Sequence, residues 1–360
     1  MKTHRHERSR TPTKGKSRKG RASRYVITGG AGFVGSNLAA ALTARDADSE
    51  IIVVDDFRSG SFANLVEAFA RRGLAPFSGI VLPLPAEDLE FEELLSTTQV
   101  DAVFHLGAIT DTTEADQVEM LAVNTTPMIG IMSACVGAGV PLVYASSAAV
   151  YGTPPQTKER KPFPLDAAGS PSNVYGFSKW LMECEHRRFV APAAGNPPHI
   201  IGLRYFNVFG PGERRKGKMA SMVYQLASKM LRGEPPRLFR DGSHARDQVY
   251  VDDVVACTMA AAGLGAKPAP TPGVYNVGSG TATSFNAMID AIRAALGLKS
   301  SELPTEYFDM PAEIRAFYQD YTCADLSATK AGLGWTPAHE PLAAIRAYAA
   351  ALRGGTLGIG

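Results

Sequence analysis

From Tyr25 onward, short β-branched apolar runs alternate with longer stretches in which apolar residues recur at helical spacing. The segment "YVITGGAGFVGSNLAAALTA" predicts a strand, a glycine turn and a helix from about Phe33 to Ala44. "EIIVVDDF" follows as a second buried strand ending at Asp55. After it come "AVFHLGA", a helix from about Asp116 to Ala138, "PLVYASS", a helix after Val174, and "HIIGLRYFN". Such alternation predicts a parallel sheet covered on both faces by helices, with right-handed crossovers. Beyond about Phe209 the pattern loosens into pieces punctuated by proline and glycine, "GPGERRKGK", "GEPPRLFRDGS" and "AKPAPTPG", which predict a smaller mixed α/β lobe laid over the crevice at the strand ends. The stretch Gly263 to Gly273 reads as a surface connection, and Met219, Met222 and Met230 as helical packing residues.

The first strand-to-helix turn has the spacing Gly29-x-x-Gly32-x-x-Gly35. Missing side chains let the chain turn tightly, let a pyrophosphate approach the backbone and let helix pack close to strand. The helix start, at Phe33 and Val34, supplies free amides and the positive end of the helix dipole. A glycine triplet alone marks only a tight turn, but an acid at the end of the next strand, Asp55, stands where a carboxylate binds the adenosine ribose. Together they predict a Rossmann-type, doubly wound dinucleotide-binding domain over residues 25–208. Segments near 246–262 and 274–280 return to it, and residues 209–350 form most of a substrate lobe. Ligands in this class sit where strands end, which singles out Leu106, Gly107, Ala108, Ser146, Ser147 and Asn207.

"NVYGFSK" places Tyr175 and Lys179 four apart on one helix face. A nearby ammonium favours the phenolate and lowers the tyrosine pKa, so Tyr175 is expected to serve as a general base towards an alcohol. A lone pair of this kind is ordinarily a solvated lysine one turn from a packed tyrosine. Here "YASSAAVYG" delivers Ser147 to the same crevice edge, and glycine turn, ribose acid, serine and tyrosine–lysine pair stand in functional order. His105, inside an apolar strand, reads as a satisfied core histidine, and His244 as a weak phosphate candidate.

Composition narrows the class. With 45% hydrophobic and 20% charged residues over 360 positions, and no apolar run expected to approach the roughly 20 residues of a membrane span, a membrane protein is not expected. Cys135, Cys184, Cys257 and Cys323 form no CxxC pair, so reduced thiols in a cytoplasmic protein are expected, with no metal site. Residues 1 to 24 carry ten Lys or Arg against Glu7, a net +9, which leaves −7 for the rest of a chain whose total is +2. The tail has no aromatic residue to stack on bases. It is read as a solvated, disordered extension, and nucleic acid is not expected as a partner.

The motifs "TGGAGFVGSN", "VVDD", "VFHLGA", "YASSAAVYG", "NVYGFSK", "RYFNVFGPGE", "RDQVYVDDV" and "YNVGSG" together resemble the extended short-chain dehydrogenase/reductases, in their nucleotide-sugar-modifying branch, over about residues 24 to 350. Dehydratases of that branch carry an Asp-Glu pair where this chain has Ala148 and Ala149, which disfavours elimination of water. Within the branch, "GAITDTTEAD", "RYFNVFGPGERRKGKMASMVYQL", "PRLFRDGS" and "FYQDYTCADL" are most similar to the ADP-glyceromanno-heptose 6-epimerase family.

The resemblance implies an epimerase of the isomerase class, a homo-oligomer holding one NADP or NAD per subunit and acting on a nucleotide sugar. It implies Ser147, Tyr175, Lys179 and Lys216 as catalytic residues, the last as a second proton-transfer group opposite the tyrosine. For the cofactor it implies Gly29, Gly32, Phe33, Val34, Gly35, Asp55, Asp56, Arg58, Leu106, Gly107, Ala108, Asn124, Lys179 and Val208. For the substrate it implies Asn207, Lys218, Gln225, Phe239, Ser243, Arg246 and Tyr318. Lys218 and Gln225 depart from the family's serine and histidine, and Leu106 from its glutamate, which leaves a UDP-hexose 4-epimerase as the alternative sugar chemistry. A non-catalytic dinucleotide-binding module is a third reading, but it leaves Ser147, Tyr175 and Lys179 unexplained together. Without the resemblance, Lys216 would be a solvated charge in the basic loop "RRKGK".

Overall fold

A computed structural model describes residues 21–153, 159–191, 197–265, 269–311 and 318–355. Most of the basic tail, residues 1–20, and part of the connection after Gly263 lie outside them.

The β-branched runs form β1 (Arg24–Thr28), β2 (Glu50–Val54), β3 (Ile80–Leu82), β4 (Ala102–His105), β5 (Leu142–Ser147) and β6 (Ile200–Tyr205). With β10 (Gly273–Val277) they make a seven-stranded sheet in the order β10-β6-β5-β4-β1-β2-β3, every pairing parallel. The order reverses at β1, and the crevice of this Rossmann-like α/β fold opens above the carboxyl ends of β1 and β4.

Helices α1 (Phe33–Arg45), α2 (Phe62–Arg71), α3 (Phe91–Thr97), α4 (Gln117–Asn124), α5 (Thr126–Ala138) and α6 (Val174–Val190) connect the strands. Both sheet faces are buried: Ile27, Val53 and Phe104 point into one core, and Val26, Val103 and Tyr144 into the other. Removing each such side chain from water is worth about 1.5–3 kcal/mol, and this burial carries the domain.

The single helix expected over 116–138 is two. Thr125 breaks it between α4 and α5, and Pro127, which has no amide to donate, stands in the first turn of α5. Contrary to the composition reading, Gln117–Ala138 is long and apolar enough, by length and composition only, to cross a bilayer, its most apolar 18 residues having mean hydropathy 1.4. Its apolarity has a use inside the protein, where Met120, Met128, Ile131 and Met132 are fully buried.

Past β6, a three-stranded sheet β11-β9-β7 joins β7 (Asn207–Phe209), β9 (Ala245–Tyr250) and β11 (Ala282–Ser284). β8 (Arg237–Phe239) pairs with β12 (Glu306–Phe308). Helices α7 (Met222–Leu231), α9 (Phe285–Leu296) and α11 (Pro341–Arg353) enclose a second core of Phe209, Leu226, Met230, Phe285, Met288 and Ile345. Two helices return to the large sheet: α8 (Val251–Ala261) packs on α1, and α10 (Ser327–Leu333) lies against β10. Met230 is buried in the second core, whereas Met219 falls before α7 in a 3-10 segment, Arg214–Met219.

Candidate active site

Gly29 adopts φ +66, and a methyl built on it would lie 2.6 Å from the Gly107 amide nitrogen; one on Gly35 would lie 2.1 Å from the Gly29 carbonyl oxygen. Both glycines are therefore dictated by the protein's own close approach of β1, β4 and α1. Gly32 caps α1 with no side-chain hydrogen bond, so the first-turn amides of Phe33, Val34 and Gly35 are left for an anion.

Asp55, 7% exposed, accepts hydrogen bonds from the amides of Ala31 (2.8 Å) and Phe57 (2.9 Å). Burial raises its pKa against the pull of those amides. It fastens the glycine loop to the end of β2. Asp56 is exposed and faces Arg58 at 3.4 Å, and Arg58 also pairs with Glu119 at 2.9 Å. The Arg58 guanidinium thus already has two carboxylates, an arrangement suited to an unphosphorylated ribose.

The strand ends above β4 are closed by short bonds. Thr28 Oγ1 lies 2.8 Å from His105 Nδ1 and accepts from the Gly107 amide at 3.1 Å, while the Leu106 amide donates to the Thr28 carbonyl. His105 is less satisfied than its place in an apolar strand suggests, because its buried Nε2 has no partner among the described residues. Burial, with Lys179 nearby, holds its pKa down to about 3, so it is neutral. Asn124, fully buried, receives the Ile109 amide (2.8 Å) and donates to the Ile109 carbonyl and to Ser178 Oγ. It ties Ile109, and with it the segment that follows Ala108, to α6.

Asn173 caps α6, accepting from the Gly176 amide at 2.8 Å, and so presents Tyr175 at the first turn. Ser147, the last residue of β5, lies close enough to the Tyr175 hydroxyl to lower its pKa. Lys179 is 2% exposed, donates to the Ala145 carbonyl at 2.9 Å and has its ammonium 6.0 Å from the Tyr175 ring centre.

The expected depression of the tyrosine pKa is not found. Burial raises it and outweighs the lowering by Ser147, because at this separation the lysine ammonium is bound to a carbonyl rather than to the phenol. Burial instead acts on Lys179, whose pKa falls to about 7. Positive charge from an oxidised nicotinamide would supply what the lysine alone does not.

Lys216 is not a solvated loop charge. Its ammonium stands 5.5 Å from the centre of the Phe33 ring, at the start of α1, and burial lowers its pKa while Glu213 opposes that. The segment is fixed on both sides, Arg215 reaching Asn64 (3.0 Å) and Glu67 (2.8 Å) of α2, and Lys218 reaching Asp111 (2.7 Å) after β4. Asp111 is held down to about 2, first by its hydrogen bond to Lys218. Gln225 donates to the carbonyls of Ala220 (2.7 Å) and Lys218 (3.2 Å). Two of the three side chains that depart from the family pattern, Lys218 and Gln225, are thus engaged by the protein itself.

β7 carries Asn207, exposed, and Val208, half-buried, alongside Gln248 and Val249 of β9. On β9, Arg246 is 8% exposed, lies 5.0 Å from the Tyr318 ring and forms no ion pair with a described carboxylate; burial lowers its pKa. A buried guanidinium with no described carboxylate within ion-pair distance, only the nearby charge of Asp320, has donors to spare for an anion. Phe239 sits at the end of β8 against Phe308 (4.8 Å) and edge-on to Tyr318 (5.5 Å). The exposed Ser243 lies at the near end of β9, its amide on Asp241 and its carbonyl on Arg160. His244 is stacked on Phe285 and lowered to about 4, hence neutral and no phosphate ligand of weight.

Sequence reasoning passed over Asp247. This fully buried acid receives the amides of Ser279, Gly280 and Ala324 and thereby binds β9 to the loop after β10; the signal was its place inside "RDQVYVDD" next to an arginine.

A glycine loop, free helix amides, an acid at the end of β2 and a serine–tyrosine–lysine set at one crevice are the pattern of a pyridine-nucleotide enzyme. A family model for the NAD dependent epimerase/dehydratase family matches residues 25–278, and the chain belongs to that family. It is accordingly an epimerase that uses NAD, and the free amides of α1 with Asp55, Asp56 and the neutralised Arg58 fit that cofactor.

Among solved structures, the chain is similar to the ADP-L-glycero-D-manno-heptose-6-epimerase of Helicobacter pylori, at 32% identity over 91% of this chain and 95% of that one, TM-score 0.76. It is also similar to the UDP-glucose 4-epimerase of Thermotoga maritima, crystallised with UDP-glucose, at 26% identity over 92% and 99%, TM-score 0.75. MoeE5, crystallised with UDP-glucose and NAD, matches at 27% identity over 92% and 99%, TM-score 0.72.

Proposed function

We propose that the chain epimerises a nucleotide-activated sugar, converting ADP-D-glycero-D-manno-heptose to ADP-L-glycero-D-manno-heptose by transient oxidation at C6, as a step towards lipopolysaccharide. The observation that carries the heptose reading is Lys216, held against Phe33 rather than in solvent. The 32% identity to the Helicobacter pylori enzyme supports it. NAD, when bound, accepts hydride from the sugar and returns it, so no net redox change occurs.

Tyr175, oriented by Ser147, takes the hydroxyl proton of one epimer and returns it, and Lys216 does so for the other, where the hydroxyl points to the opposite side. Lys179, fixed on the Ala145 carbonyl, holds the nicotinamide ribose. Arg246 binds the diphosphate through its forked donors, with Phe239, Ser243 and Tyr318 at the nucleoside and Asn207 at the sugar. Ala148 and Ala149 offer no acid or base beside Ser147, which speaks against elimination of water.

The test is to supply the protein with ADP-D-glycero-D-manno-heptose and, separately, UDP-glucose, and to follow configuration at C6 and C4. Inversion at C6 of the heptose is expected; inversion only at C4 of the hexose would replace this reading with that of a hexose 4-epimerase.

A further inference from the structure

Behind the serine–tyrosine–lysine set lies a buried ionic network that the chemistry above does not use. Glu183 follows Lys179 by four residues and Tyr175 by eight, so all three share one face of α6. Its side chain is 0% exposed and accepts three hydrogen bonds: from Ser146 Oγ (2.6 Å), Arg204 Nε (2.9 Å) and Arg204 Nη2 (2.7 Å). Arg204 Nη1 donates to the Tyr151 hydroxyl and to the Leu165 carbonyl, both at 2.8 Å. Tyr151 donates to Asn276 Oδ1 at 2.7 Å, and Asn276 Nδ2 donates to the carbonyls of Phe163 (2.8 Å) and Asp325 (3.1 Å).

The placement of these residues is regular. Ser146, Arg204 and Asn276 are register partners across β5, β6 and β10, one row behind Ser147. Tyr151 closes the turn that follows Ser147, and Arg204 stands three residues before Asn207. Ser146, Tyr151, Glu183 and Arg204 each stand within four residues of one proposed to touch substrate or cofactor, and Asn276 joins them from β10.

Stability does not explain such a pair, because well-packed apolar residues of similar volume commonly serve a fold as well or better. An apolar contact positions a helix by shape alone, whereas a two-pronged guanidinium–carboxylate pair adds directional bonds that fix both distance and rotation.

We propose that Glu183 and Arg204, with Tyr151 and Asn276, are positioning residues that set the register of α6 against β5 and so hold the Tyr175 hydroxyl beside Ser147. This rests on the reading of Tyr175 as the proton-transfer group. A misplacement of about 1 Å at such a site costs on the order of a hundredfold in rate.

The test compares wild type, Tyr175→Phe and the double variant Glu183→Leu with Arg204→Met, in the full chain, on whichever of ADP-D-glycero-D-manno-heptose or UDP-glucose the wild type converts. The double variant is expected to melt near wild type and bind NAD as tightly, with KM within about twofold, while kcat falls tenfold or more. A folded double variant with kcat within about twofold of wild type overturns the proposal. Should it not fold, Tyr151→Phe removes one hydroxyl and leaves the ion pair; a loss in kcat at unchanged KM supports the network, and an unchanged kcat overturns it. Near-normal turnover by Tyr175→Phe would instead mean that the proton-transfer reading is wrong, a result distinct from either.

Discussion

Lys179 shows how burial and charge compete at one side chain. Its folded pKa is about 7 against an ordinary 10.5, so between those values the unfolded chain keeps a proton that the folded chain has released. Stability of the cofactor-free protein therefore rises with pH across that window and is lost as pH falls through about 7. Urea midpoints measured at about pH 6.5 and 9 should show the rise in wild type and a flatter dependence in Lys179→Met; equal slopes would mean that another group is responsible. Lys216 is the other residue whose surroundings carry weight. Lys216→Met is expected to lower epimerisation by about 10²–10⁴-fold while NAD titration shows binding retained; near-wild-type turnover would return Lys216 to the role of a loop charge.

Elements convert these single residues into a site. In the β1–α1 turn, Gly35→Ala places a methyl 2.1 Å from a carbonyl oxygen, so α1 must move; a large fall in melting temperature and loss of NAD binding are expected. At Gly32 the same methyl meets the Gly29 carbonyl oxygen at 3.0 Å, φ is −75 and nothing else is close, so Gly32→Ala should fold with little change and lose NAD affinity. Equal damage from both substitutions would mean that Gly32 too serves only the turn.

Much of this level was legible in the chain: strands β1, β2, β4, β5 and β6 and helices α1 and α6 follow from apolar period and glycine spacing, as do Ser147, Tyr175 and Lys179 at their ends. What was not legible depends on contacts distant in sequence. The helical period runs unbroken through Thr125 although the helix does not. The charge on Lys179 predicts a lowered phenol, but burial decides the direction. Lys218 and Gln225 look available until the loop that uses them is folded. Arg204 inside "HIIGLRYFN" and Glu183 on α6 were the visible signs of the buried network, since a charge in an apolar strand needs a partner.

At the scale of the molecule, the Lys216 segment answers to distant parts. Glu213, fully buried, receives the Gly210 amide and Ser221, and lies close enough to Tyr348 of α11 to help raise its pKa. Tyr348→Phe should lower the melting temperature by about 1–2 °C, the effect of roughly 1 kcal/mol in a chain of this size, and should reduce turnover more than NAD binding. An unchanged kcat would show that α11 has no hold on the loop. The order of strands has a further result during synthesis. β6 sits between β5 and β10, and β10 is made only after the intervening residues from 206 to 272. A nascent chain that has completed β6 thus exposes an apolar edge, Ile200 to Tyr205, with unpaired amides and carbonyls, for the several seconds that about seventy residues take at ribosomal speed. A fragment stopped near residue 212 should aggregate where the full chain does not, and the ribosome itself, or a chaperone at its exit, must guard that edge until the last strand arrives.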